Sequence, residues 1–266
     1  MKKTLKFVSF LFIGSIIFTS CKKTNSSAPE EISQQTFDQI YAHGFGTSNV
    51  QKIEEGYLVE GDIVLTQEYL DQQPAGNFLR IANNEQYRTT NLVNQNRTIT
   101  IALDSKLSAK AGYSQALAEV ANRYNALGLT LTFQAVSSGA DITYVEGHGQ
   151  YLASAGFPTG GNPYGTVKVN ANAIGTGTSS TFINYLATIM THEGGHCIGF
   201  RHTDYMDRSY SCGGAYSNEG ASSVGAILIP GTPSGPDAGS WMLACIGANQ
   251  NRPFNSNDRT ALQYLY

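Results

Sequence analysis

Charge is scarce in this chain of 266 residues: only 14% are Asp, Glu, Lys or Arg, with 17 Lys and Arg against 20 Asp and Glu. The formal net charge of −3 leaves no basic surplus, which excludes the electrostatic footprint of a nucleic-acid-binding protein. Tryptophan occurs once and cysteine four times, too few for a small scaffold built on disulfides. Glycine is plentiful at 28 residues but has no three-residue period, so a collagen-like fibre is excluded. The apolar run near the start, Phe7–Phe18, is shorter than the roughly 20 residues a membrane-spanning helix needs. Against these absences stand 41% apolar and 11% aromatic residues, enough for a packed core and too many for a disordered chain.

Lys2, Lys3 and Lys6 followed by Phe7–Phe18 have the layout of a secretory signal over residues 1–20. Thr19 and Ser20 before Cys21 resemble a bacterial lipoprotein cleavage box, with Cys21 as the lipid-bearing residue. That implies an exported lipoprotein of the cell envelope, at the outer membrane or cell surface, touching membrane only through Cys21. Lys22–Glu31 is polar and contains Pro29, which suits a flexible tether. Export makes one disulfide plausible among Cys197, Cys212 and Cys245; the sequence leaves open which two pair.

The chemistry concentrates in Thr191–His202, THEGGHCIGFRH, which holds three of the chain's five histidines. His192 and His196 are four apart, so on a helix both imidazoles leave one face, a turn apart, as two ligands of one cation must. Glu193 stands beside the first, placed to take a proton from water rather than to bind. Upstream, Phe182, Ile183, Tyr185, Leu186 and Ile189 recur at helical intervals, and Ser179 or Ser180 can cap the start. Gly194 and Gly195 each cost such a helix about 1 kcal/mol relative to Ala, which predicts that something passes close to the backbone there. Gly199 ends the helix, letting the chain turn so that His202 comes back as a third nitrogen ligand. Three histidines with a fourth position open describe a catalytic zinc site rather than a closed structural one.

HExxHxxGxxH resembles the metzincin clan of zinc endopeptidases, and THEGGHCIGFRHTD is similar in particular to the bacterial secreted HEIGH metallopeptidases, with Gly194 where Ile gives that family its name. The resemblance implies one catalytic zinc ion on His192, His196 and His202, Glu193 as general base, and Met242 of Ser240-Trp241-Met242 as the Met-turn beneath the metal. Ala244 stands where some relatives place a tyrosine, so that role is unfilled or supplied from elsewhere, with Tyr205 one candidate.

The rest of the sequence fits an α+β, two-subdomain catalytic domain of that kind over residues 89–266. Arg97–Leu103, Leu129–Ala135, Asp141–Val145 and Thr166–Val169 read as strands, and Ala111–Leu127, closed by Gly128, as a long helix. With the metal helix this order resembles the metzincin amino-terminal subdomain, which implies a twisted mixed sheet with Thr166–Val169 as the exposed edge along the cleft and Lys168 as either a substrate contact or an edge lysine that deters aggregation. Cys212–Gly239 reads as irregular loops, and Asn255–Tyr266 resembles the terminal helix of matrixins. Tyr57–Leu65, YLVEGDIVL, reads by itself as a strand with a turn at Gly61. Glu60-Gly61-Asp62 is also similar to the FEGD element of astacin propeptides, which implies that residues 21–88 are a tether and inhibitory prosegment with Asp62 as a blocking zinc ligand. Arg80 and Arg88 are candidate cleavage points. His148 reads as a solvated loop residue, and the Asn-rich stretches Asn91–Arg97 and Asn249–Asn257 as turns rather than calcium loops.

The expected activity is hydrolysis of protein or peptide substrates by a monomer made in latent form. Two rivals remain: a surface binding module on the same scaffold, and a zinc amidase acting on cell-wall peptides. Retention of Glu193 beside the ligands speaks against the first.

Overall fold

A computed structural model describes residues 31–72, 86–218, 226–233 and 236–266. The signal segment, Cys21 and Arg80 lie outside them. All elements below lie in the unit Ile32–Tyr266. Among the described residues no helix is long and apolar enough to cross a membrane.

The chain starts with α1 (Gln34–Ala42), then an antiparallel meander of β1 (Gln51–Ile53), β2 (Gly56–Val59) and β3 (Ile63–Leu65), then the short α2 (Gln67–Leu70). β4 (Tyr87–Arg88) leads into β5 (Arg97–Leu103), followed by α3 (Ser105–Ser108), α4 (Tyr113–Asn125), β6 (Leu131–Ala135) and β7 (Ile142–Glu146). Then come β8 (Ala153–Ser154), β9 (Thr166–Val169), α5 (Ala171–Ile174), α6 (Ser180–Ile198), α7 (Ser209–Cys212), β10 (Ile227–Leu228) and the terminal α8 (Ser256–Leu265). The main sheet has the order β6-β5-β7-β9-β8, parallel except for β8. α4 and α6 pack against it and each other around Ile99, Ile101, Val120, Tyr124, Tyr144 and Leu186, all buried.

One expectation is overturned here. Thr166–Val169 is β9, but it is interior: β8 pairs with its free side and forms the edge. Two residues without periodicity give no strand signal of their own. Lys168 meets Glu55 at 2.6 Å, so it ties the β1–β2 turn to the sheet.

The sequence explains the metal helix. Ser179 Oγ accepts from Phe182 N at 3.2 Å and starts α6. Gly199, at φ 113°, ends it in the left-handed region. The two internal glycines are there because neighbours approach closely. A Cβ on Gly195 would lie 2.6 Å from Met242 Sδ and collide with Trp241, and one on Gly194 would meet the hydroxyls of Tyr124 and Tyr144 at 3.3 Å. Those hydroxyls donate to the carbonyls of Thr191 and Met190 at 2.9 Å, which fixes the helix above the sheet.

The stretch from α1 through the meander to α2 has its own core of Ile40, Phe45, Val59, Ile63, Leu65 and Leu70, shared with Phe157. Ile63 extends the main fold by a parallel bridge to Ala155, with Val64 N donating to Ala155 O at 2.6 Å and Ala155 N to Asp62 O at 2.9 Å. The backbone of Asp62 is therefore held beside the edge of the sheet.

Candidate metal centre

His192 and His196 leave α6 on one face, and the turn at Gly199 returns His202 to them. Their ring centroids lie 4.8 to 5.3 Å apart. Asp62 completes the group: one ligand atom from each of the four residues lies within 4.8 Å of the others, and all four are buried. Asp62 Oδ2 is 3.1 Å from His202 Nε2 and 3.8 Å from His192 Nε2.

The hydrogen bonds settle the tautomers. His192 Nδ1 donates to Trp241 O at 2.9 Å and His196 Nδ1 to Phe200 O at 2.8 Å. A neutral ring protonated at Nδ1 presents a lone pair at Nε2. His196 Nε2 faces His202 Nε2 at 3.2 Å, while His192 Nε2 and Asp62 Oδ1 have no hydrogen-bond partner. Lone pairs and a carboxylate converging in a buried space repel one another unless a cation lies among them, so the residues fit a divalent metal. Burial, with His192 and His202 nearby, pushes His196 well below the usual imidazole range and keeps it neutral. Burial pushes Asp62 up, but His202 and the other imidazoles outweigh it and hold the carboxyl well below its ordinary value. Three imidazoles and one carboxylate are a donor set typical of zinc.

Glu193 lies beside this group, buried, with Oε2 unpartnered. Burial and the Asp62 charge push its pKa well above the carboxylate range, partly countered by His202. Beneath, Trp241 and Met242 are buried, and Met242 O accepts from Thr203 N at 2.9 Å, one residue past His202. Asp258 holds that turn, accepting from Ser240 Oγ at 3.0 Å and Trp241 N at 3.2 Å. Asp258 also completes the capping box that starts α8. Cys212 and Cys245 form the disulfide that the sequence left open, and Cys197 is free and buried.

Other candidates lie apart from the metal group. Tyr205 packs edge-on against Tyr87 at 4.4 Å and does not line the cleft cavity. His43 is buried, with Nε2 3.1 Å from Leu70 O, and His148 is exposed. Asn96 and Asn249 take positive φ, as turn residues do.

One feature escaped sequence reading. Arg201, inside the motif and fully buried, receives Glu60 in a bidentate pair with both contacts at 2.6 Å, donates to Gly44 O at 2.9 Å, and lies 4.5 Å over the Phe45 ring. Arg208 adds a hydrogen bond to the Glu60 carbonyl. Glu60 itself adopts φ 54°, the left-handed region a non-glycine residue rarely takes. An arginine between two metal-ligand positions was the available signal, but nothing local names a partner 141 residues away.

Removing one member of a buried ion pair costs about 3–5 kcal/mol, because the other charge is left uncompensated. Glu60→Ala is therefore expected to loosen the meander: hydrogen exchange of β2 and β3 amides speeds up by more than tenfold while α6 amides stay protected. Unchanged exchange in β2 and β3 would show that apolar packing alone holds them.

A mixed sheet backed by two helices, the second carrying HExxHxxGxxH over a buried methionine turn, defines a metzincin-like metallopeptidase. The chain belongs to the dual-action HEIGH metallopeptidase family, whose model matches residues 57–266. Solved structures to which it is similar include two of myroilysin. One is 16% identical, with a TM-score of 0.42, covering 66% of this chain and 82% of that one. The other is 15% identical, with a TM-score of 0.39, covering 64% and 83%. The GM1-bound form of the ECX AB5 holotoxin is 16% identical, with a TM-score of 0.34, over 51% and 66%. No curated protein matches the chain.

Proposed function

We propose that this metallopeptidase is a zinc-dependent endopeptidase held latent by its own amino-terminal segment, and that Asp62 is the blocking ligand. The observation that carries the reading is the buried convergence of three imidazole nitrogens and one carboxylate beside Glu193. His192, His196 and His202 hold the ion, with Trp241 O and Phe200 O fixing two of the rings. When bound, zinc polarises the scissile carbonyl and lowers the pKa of a water toward roughly 7. Glu193 takes the proton of the attacking water and delivers it to the leaving amine. Met242 is a structural floor: its sulfur fills the space that Gly195 leaves open, and it carries no proton.

Asp62 acts twice in the latent form. It takes the place that the attacking water needs, and its negative charge favours the protonated form of Glu193, which cannot serve as a base. The segment from residue 21 to about Arg88 is then the part to be removed, and residues 89–266 the catalytic domain.

Limited proteolysis of the full chain is expected to release hydrolysis of a denatured protein. A chelator should stop it, and one equivalent of Zn2+ should restore it. Hydrolysis that survives the chelator, or a purified chain with no stoichiometric divalent metal by elemental analysis, would overturn the reading. Cleavage of cell-wall peptides with denatured protein left intact would favour the amidase instead.

A further inference from the structure

The cavity beside Glu193, of about 260 Å³, contains a charge the reaction does not use. Two carboxylates line it, Asp62 and Glu193, and both belong to the metal centre; the cations are Arg208 and Arg252. Much of the remaining wall is apolar, from Leu152, Ile189, Leu243 and Ile246 among others.

Arg252 is held in place by the protein. Its backbone N donates to Thr188 Oγ1 at 3.0 Å, and Thr188 stands one helical turn before His192, about 6 Å along the axis of α6. Thr188 Oγ1 is fixed in turn by a donor from Arg123 at 3.0 Å and by its own bond to Asn184 O at 2.9 Å. Both Nη atoms of Arg252 donate to Cys245 O, at 3.2 and 3.3 Å, and the Cys212 disulfide anchors that wall. Each Nη has a second hydrogen beyond the one it commits there. Among the described residues no carboxylate forms an ion pair with Arg252. Burial lowers the pKa of the Arg252 guanidinium; Asp204 and Asp258 only partly counter this from further off, and their oxygens are engaged by Ala244 N and Ser211 Oγ, and by Trp241 N and Ser240 Oγ.

A half-buried guanidinium without a paired anion, in the wall of an otherwise largely apolar cavity next to the reacting centre, is a receptor for a carboxylate. We propose that this cavity takes an acidic side chain of the substrate peptide, Glu ahead of Asp, and that Arg252 is the specificity-determining residue. The longer side chain is favoured because Arg252 enters a full turn of α6 away from His192. Arginine suits this task because its planar fork can give two parallel bonds to one carboxylate. The proposal rests on the endopeptidase reading for its substrate and is separable from it by experiment.

The test uses peptides that differ only in Glu, Asp, Gln, Leu or Lys at each of the two residues flanking the cleaved bond, with the zinc-loaded full chain after limited proteolysis. At one of the two positions kcat/KM should favour Glu over Gln by about 10- to 100-fold, the worth of a charge-assisted hydrogen bond. The ratio should fall close to one in Arg252→Gln, be partly kept in Arg252→Lys, and turn toward a Lys-bearing peptide in Arg252→Glu. A wild-type ratio near one, or a Glu preference that survives Arg252→Gln, would overturn the proposal. Binding of the same peptides to the processed, zinc-loaded Glu193→Gln protein decides the matter without turnover. A Glu preference in binding upholds the acidic pocket even if no peptide is hydrolysed, in which case the endopeptidase reading fails alone. Equal affinities reject the pocket even if hydrolysis is brisk.

Discussion

Glu193→Gln is expected to end peptide hydrolysis, with kcat/KM down by at least about 10³, while zinc stays bound at one equivalent. The size follows from the role: a positioned base contributes about 10²–10⁴, and Gln keeps the shape of the side chain but cannot take up a proton. Zinc should stay because the three imidazoles keep their contacts, none of which involves Glu193. The stability of the variant supplies an internal check. Burial and Asp62 both disfavour the Glu193 carboxylate in the folded state. The folded pKa is therefore above the unfolded value, and at neutral pH the ionised side chain is a net cost to folding. A neutral isostere removes that cost, so the variant should unfold at the same temperature as the parent or higher. Activity and elemental analysis on one preparation decide it: turnover within tenfold of the parent would remove Glu193 from the mechanism.

The second large effect concerns Asp62. In the unprocessed chain Asp62→Ala is expected to raise peptidase activity by more than tenfold with no cleavage of the polypeptide. Among the described residues of the segment the Asp62 carboxylate is the group that joins the metal cluster, so its loss opens the position for water while the Glu60–Arg201 pair still holds the backbone. Losing the charge also lowers the pKa of Glu193, so the acidic limb of the activity profile should extend to lower pH. The measurement is hydrolysis of a short peptide by intact chain, with gel analysis to exclude processing. If the variant stays as silent as the parent while limited proteolysis activates both, the obstruction is the backbone of residues 57–65 and not Asp62.

The sequence announced the metal helix because every signal there is local. Ser179, the apolar spacing after it, the paired glycines and Gly199 all act within a few residues, and the structure has them where such signals point. Even the cost of Gly195 was legible as a close approach, although the identity of the intruder, Met242 with Trp241, needed the fold. Features made by distant partners were not legible. β8 is two residues long and exists only because β9 offers it hydrogen bonds, so from the sequence Thr166–Val169 reads as an edge. Arg201 looks like an ordinary surface cation until Glu60 and Gly44 come from elsewhere in the chain. The pairing of Cys212 with Cys245 is of the same kind, since spacing does not rank three candidates.

The short bridge between Ile63 and Ala155 bears on how such a block can be lifted. Under the proposed latency the obstructing strand and the cleft are parts of one polypeptide, so their encounter is unimolecular, and diluting the protein is expected to leave the ratio of closed to open forms unchanged. A diffusing peptide at micromolar levels competes against a local concentration on the order of millimolar, so abundance of substrate alone does not start the enzyme. On the proposed latency, cutting the connection would abolish that advantage at once and make the awakening irreversible.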